Sequence, residues 1–236
     1  MAAVKKFGQK EASQQLRHIE RRIQNPKNKD IDPERKDLNY SFIKDRGMTS
    51  YDYLLKRKEE LHYRKQADLK LMAGWVVTAP DNLPLKEEDD FFQCVHEFLC
   101  ERYGGEKNCI QSVVHKDEVS KDINVPLEKR GHHHLHFCFI PTVPDKKHGG
   151  FKISAKHCLD LKELRNFHPD LQQYLDSKNI HCTVYSGITK KQGGNRTVKE
   201  MKEERELEQE LERGLEQELE RELEQEHEHE IERFGW

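Results

Sequence analysis

Hydrophobic and polar positions alternate along this chain in two ways. Leu71–Ala79 (LMAGWVVTA) is a continuous apolar run closed by Pro80, Asn82 and Pro84, which predicts a buried strand. Cys109–His115 and Leu135–Ile140 predict two more, and Pro141 and Pro144 stop the second. Met1–Phe7 and Ile180–Ser186 are weaker strand candidates. Helical spacing appears over Gln9–Gln24, over Tyr51–Lys65 (Tyr51, Leu54, Leu55, Lys58, Leu61), over Glu87–Tyr103 and over Leu159–Asp176. Gly104-Gly105 marks the end of the third helix. The order of elements predicts an α+β fold: an antiparallel sheet with helices on one face and the other face open to a ligand.

The pattern changes after Lys202. Leucines recur at 207, 211, 215, 219 and 223, a spacing of four, within an L-E-Q-E-L-E-R repeat. On a 3.6-residue helix such a stripe precesses by about 40° per repeat, so it makes a poor coiled-coil seam. Residues 201–236 are expected to form a charged tail, helical or disordered, that could support self-association or a protein contact. Residues 1–200 are expected to form the working domain.

Charge sharpens this division. The 236 residues carry a formal net charge of −3. Residues 203–233 hold 15 Glu and 4 Arg, leaving residues 1–202 with a net of +8. A basic body suggests a polyanion partner, most often nucleic acid. Six cysteines show no C-x-x-C pair, no apolar run approaches membrane-spanning length, and the first residues lack a signal-peptide core. A reducing cytoplasm is the expected location.

The candidate chemistry lies on the second and third apolar runs. His115, Asp117 and Glu118 follow one run, and His132, His133, His134 and His136 open the other. Strand alternation puts His132, His134 and His136 on one side and His133, Leu135, Phe137 and Phe139 on the other. A row of imidazoles that meets His115 across the sheet, with carboxylates close by, suits a divalent metal with an open position.

Two motifs make this specific. H-x-D-E followed by H-x-H-F-x-x-x-P reads His115-Lys-Asp117-Glu118 and His134-Leu-His136-Phe137-Cys-Phe-Ile-Pro141. H-x-x-R followed by N-x-D-I-x-x-x-R-x-x-x-N-Y reads His18-Ile-Glu-Arg21 and Asn28-Lys-Asp30-Ile31 through Arg35 to Asn39-Tyr40. In this order, with the Trp75–Thr78 strand between them, they resemble the MobV (Pre/Mob) plasmid mobilisation relaxases over roughly residues 1–200.

The resemblance implies an HUH-type nuclease with a ferredoxin-like palm, which nicks and rejoins one strand of single-stranded or supercoiled plasmid origin DNA. It implies His18 as the nucleophile, helped by Arg21 and Glu118 with Asp117 beside them, and His115, His134 and His136 as ligands to Mn²⁺ or Mg²⁺. Arg17, Arg22, Lys27, Asn28, Lys29, Arg35, Asn39 and Tyr40 are the expected DNA contacts. Arg21 is expected one helical turn from His18, on the same face. The alternative is an origin-binding protein of the same fold without nicking activity.

The chain departs from the family pattern at one place. Fifteen residues separate Glu118 from His134, and His133 stands where the family has proline. This connector is either a longer hairpin loop that leaves the ligands in place or an insertion that lets His132 replace one.

Overall fold

The computed structural model describes residues 2–23, 28, 30–119 and 133–184. They belong to one compact unit, Met1–Tyr185. Lys27, Lys29, the 120–132 connector with His132, Tyr185 and Ser186, and the 201–236 repeat lie outside the described residues.

A five-stranded antiparallel sheet organises the unit. Its strands are β1 (Ala2–Phe7), β2 (Tyr40–Ser41), β3 (Met72–Thr78), β4 (Cys109–His115) and β5 (His134–Phe139), in the order β1-β3-β5-β4-β2. The helices are α1 (Gln9–Ile19), α2 (Ser50–Glu59), α3 (Glu88–Arg102), α4 (Ala155–Cys158) and α5 (Leu161–Ser177). A short hairpin, β6 (Thr142–Pro144) with β7 (Phe151–Ile153), follows the central strand β5.

The α+β class and the antiparallel sheet are as the hydrophobic pattern predicts. The open face is not. Leu135, Phe137 and Phe139 of β5 point into a core with Trp75, Phe91, Val95, Phe98, Phe167 and Leu171, built on α3 and α5. Trp75 stacks on Phe167 with ring centroids 3.6 Å apart and donates its indole N–H to Tyr103 Oη at 2.9 Å. The opposite face carries Met72, Ile110, Val113, Cys138 and Ile140, which is apolar and needs cover as well. Ala12, Leu16 and Ile19 of α1 and Leu54 of α2 supply it. The i, i+4, i+7 spacing of the three α1 residues is an apolar stripe hidden among its charges. Helices therefore lie on both faces, and β5 is buried along its whole length.

Two helix boundaries also move, and one expected strand does not form. The first helix ends at Ile19 rather than Gln24, and the second at Glu59 rather than Lys65. Residues 180–184 are not a strand. Side chains satisfy their backbone instead: the amide of Gln172 donates to Cys182 O and accepts from Val184 N, and Asn82 accepts from Thr183 N. The cysteines of the unit are all free, and five of the six are buried.

Candidate metal centre

The site lies at the end of the sheet where α1 finishes. β4 and β5 pair so that His115 faces His134, and His136 sits one pleat along, between Val76 and Val113. All three rings are buried. Their ligand nitrogens lie within 4.8 Å of one another, and the two Nε2 atoms of His134 and His136 are 3.1 Å apart.

The last turn of α1 sets the tautomer of His115. A helix C-terminus leaves carbonyls without intrahelical partners. The Ile19 carbonyl is one, and it accepts from His115 Nε2 at 2.9 Å. That leaves His115 Nδ1 as a lone-pair donor, and this atom is buried without a hydrogen-bond partner. An orphaned imidazole nitrogen beside two further imidazoles is the donor set a divalent ion requires, with the outer hydrogen bond that fixes ring orientation already made. Burial, then the nearby Arg21 charge, pushes His115 down to about 3, and burial drives His136 well below the ordinary histidine value. Both rings are neutral near pH 7, as ligands must be.

His18, on the last turn of α1, turns its ring edge-on toward the same point. Its centroid is 6.4 Å from that of His115 and 6.2 Å from that of His136. Burial and then Arg21 lower its pKa, so it too is neutral.

Arg21 is not on the helical face with His18. α1 closes in a Schellman motif: Arg21 N–H bonds to His18 O, Arg22 N–H bonds to Arg17 O, and Arg21 takes the left-handed position with φ of 52°. This swings its guanidinium onto the β4 exit. Nε and Nη2 donate to the two oxygens of Asp117 at 2.7 and 2.6 Å, and Nη2 also reaches Glu118 Oε1 at 2.9 Å. Burial alone would raise the Asp117 pKa, but the Arg21 pair outweighs it and holds the carboxylate ionised. Glu118 Oε1 in turn lies 3.9 Å from His115 Nδ1 and 4.0 Å from His134 Nε2. Arg21 and Glu118 thus form a charged layer directly behind the imidazoles.

The other expected contacts divide. Arg17 and Arg22 are exposed, and Arg22 pairs with Glu20. Asn28 donates to Glu118 Oε2, Arg35 to Lys116 O, and Asn39 Oδ1 accepts from Lys116 N. These three brace the segment after β4. Tyr40 donates to Asp89, and Phe42 packs edge-on against its ring. His133, on the opposite face of β5 from the ligands, contacts Glu88 Oε2 at 2.7 Å, and Glu88 also pairs with Lys116. Glu88 carries no signal of its own in the sequence, because it is one of four consecutive acidic residues, Glu87 to Asp90, that read as ordinary helix-dipole partners at the start of α3.

Comparison with known proteins identifies the family and the fold. The family model for the plasmid recombination enzymes, Mob_Pre, matches residues 1–231. A plasmid recombination enzyme of Streptococcus agalactiae is 26% identical over 207 residues, covering 83% of this chain and 38% of the relative. A type 3 plasmid recombination enzyme of Mammaliicoccus lentus is 26% identical over 196 residues, covering 80% and 41%. The chain therefore spans about two-fifths of the length of these curated relatives. Among solved structures, the MobM relaxase domain, Mn-bound and on pMV158 oriT DNA, shares the fold with a TM-score of 0.66 at 24% identity, over 86% of this chain and 97% of that one. A second MobM complex, with 26-nucleotide oriT DNA, gives 0.55 at 20% identity, over 85% and 98%.

Proposed function

The chain belongs to the plasmid recombination enzyme family, and from that premise we propose that it is a metal-dependent relaxase that nicks and rejoins one strand of plasmid origin DNA through a covalent link to His18. The observation that carries this reading is convergence: His18 faces the three-imidazole cluster in which His115 Nδ1 is orphaned. The Mn-bound MobM relaxase domain on oriT DNA supports both the choice of substrate and Mn²⁺ as the ion.

His115, His134 and His136 hold the ion. When bound there, the ion supplies positive charge that offsets the charge growing on the non-bridging phosphate oxygens. His18 is neutral and offers a ring nitrogen to the scissile phosphorus. The N–P bond forms as the P–O bond to the leaving strand breaks, and the departing oxygen takes up a proton while the imidazole loses one from its other nitrogen. The bond energy is kept in the phosphoramidate. Attack by a strand's free hydroxyl reverses the step and rejoins DNA without a nucleotide cofactor.

Arg21 and Glu118 act as positioning residues. Arg21 contributes the charge that helps keep His18 neutral, and Glu118 fixes Arg21 and Asn28 behind the ligands. Exposed Arg17 and Arg22 track the DNA backbone. Residues 1–200 carry this activity, and a plasmid substrate implies a cytoplasmic site of action.

The test is supercoiled plasmid carrying the cognate origin, incubated with Mn²⁺. The wild type is expected to yield a relaxed, protein-linked product. His18→Ala is expected to lose it by roughly 10³-fold or more while retaining the gel shift. Cleavage by His18→Ala at the wild-type rate overturns the histidine nucleophile. A wild type that shifts origin DNA and never forms the adduct is an origin-binding protein of the same fold.

A further inference from the structure

A second cluster of metal-type side chains lies on the β6–β7 hairpin. His62 Nδ1 and His148 Nδ1 both contact one oxygen of Asp145, Oδ2, at 3.1 and 2.9 Å. The three donor atoms lie within 4.8 Å of one another. The Asp145 side chain is 4% exposed, whereas the His62 and His148 side chains are 53% and 55% exposed. A buried carboxylate thus forms the floor, and two half-exposed imidazoles form the walls.

The backbone builds this arrangement. His62 N–H donates to Phe151 O and its carbonyl accepts from Ile153 N–H, which ties the segment after α2 to β7. The turn from Asp145 to Gly150 closes on itself through Asp145 N–H to Gly150 O and Gly149 N–H to Asp145 O. Gly149 and Gly150 both take left-handed φ, 76° and 67°, which only glycine adopts without strain, and this folds His148 back over Asp145. Asp145 Oδ1 accepts from Lys147 N–H, so the carboxylate is locked in orientation. The nearest cation on it, Lys152 Nζ, is 3.9 Å from Oδ1, the oxygen that faces away from the imidazole pair.

We propose that His62, Asp145 and His148 form a second, structural site for a borderline divalent ion of the zinc class, separate from the ion of the nicking site. Metal–ligand bonds of about 2.0–2.2 Å set tetrahedral ligand atoms roughly 3.3 Å apart, and the two nitrogens stand 3.1 and 2.9 Å from Asp145 Oδ2, with all three donors inside 4.8 Å. Each imidazole gives up Nδ1 as the ligand and carries its proton on Nε2. Water completes the shell on the exposed side. Two imidazoles and one carboxylate favour Zn²⁺ or Co²⁺ over Mn²⁺. The bound ion clips the segment after α2 to the β6–β7 hairpin.

The test is Zn²⁺ uptake by the metal-stripped full chain, measured by equilibrium dialysis, in wild type, His148→Gln and His62→Gln. Both substitutions are at half-exposed positions, and comparison with the wild type cancels ions held elsewhere. Each variant is expected to bind one equivalent fewer than wild type, and to lose one component of the Co²⁺ ligand-field absorption, with Mn²⁺-dependent nicking unchanged. Equal Zn²⁺ stoichiometry in all three proteins overturns the site, whatever the outcome for nicking.

Discussion

Arg21 shows how one residue's backbone decides a site. Read along the sequence, H-x-x-R is a helical face; in the fold, Arg21 is the left-handed residue that ends the helix. A non-glycine residue there costs about 1 kcal/mol or more. The conformation is retained because it delivers the guanidinium to Asp117 and Glu118. Two substitutions separate these effects. Arg21→Ala leaves Asp117, with a side chain 1% exposed, buried without its cation, and is expected to lose about 3–5 kcal/mol in urea unfolding. Arg21→Gly removes the same pair but relieves the strain, and should recover about 1 kcal/mol of that loss. Equal stabilities for the two variants would show that no strain is held at this position. His115 makes the complementary point. Its type and spacing mark it as a ligand, but which nitrogen is available depends on the Ile19 carbonyl, 96 positions earlier. Saturating Mn²⁺, near 100 times its dissociation constant, is expected to stabilise the wild type by about 2.7 kcal/mol. His134→Ala should abolish that gain, and a full gain in the variant would place the ion elsewhere.

Among the elements, those with one strong period were legible and those stabilised by distant side chains were not. β3, β4 and α3 fall within a residue or so of their expected bounds, because each is a long apolar run or an unambiguous stripe. The apolar stripe of α1 was masked by its charges, so the covering of the second sheet face went unseen. The 180–184 segment has strand-like composition but reaches no strand edge; Gln172 occupies its hydrogen bonds. Gln172→Ala is therefore expected to speed hydrogen exchange at Val184 N–H by tenfold or more while leaving β5 protected, and unchanged exchange would remove that role from Gln172. Gly74 in β3 marks where strand packing is closest. A Cβ there would meet Phe7 Cε2 at 3.2 Å and Cys138 Sγ at 3.3 Å. Both neighbours are buried, so Gly74→Ala should cost about 1–3 kcal/mol by overpacking, although alanine is the better strand residue. A neutral or stabilising effect in urea unfolding would mean that β1 shifts to accommodate it.

At the scale of the whole molecule, the motifs carried the family and the convergence of His18 with the imidazoles, while the charge split carries a consequence for DNA. Residues 1–202 have a net of +8 and residues 203–233 a net of −11. Attraction to DNA depends on the number of phosphates neutralised, and its salt slope is roughly 0.9 per phosphate contact. An acidic segment on the same chain lowers the net positive charge that draws the protein to DNA. A chain ending at residue 202 is therefore expected to bind non-specific duplex DNA at least tenfold more tightly at low salt, with a steeper dependence of affinity on salt, in fluorescence anisotropy titrations. The gain should shrink as ionic strength rises past the point where the Debye length falls below about 10 Å. Discrimination in favour of origin DNA should narrow in the shortened chain, because non-specific binding rests almost wholly on phosphate contacts and is the binding that the Glu-rich repeat opposes most. Identical salt slopes for the two chains would mean that the repeat is electrostatically silent toward DNA, and its leucines would then be the feature to pursue as a protein contact.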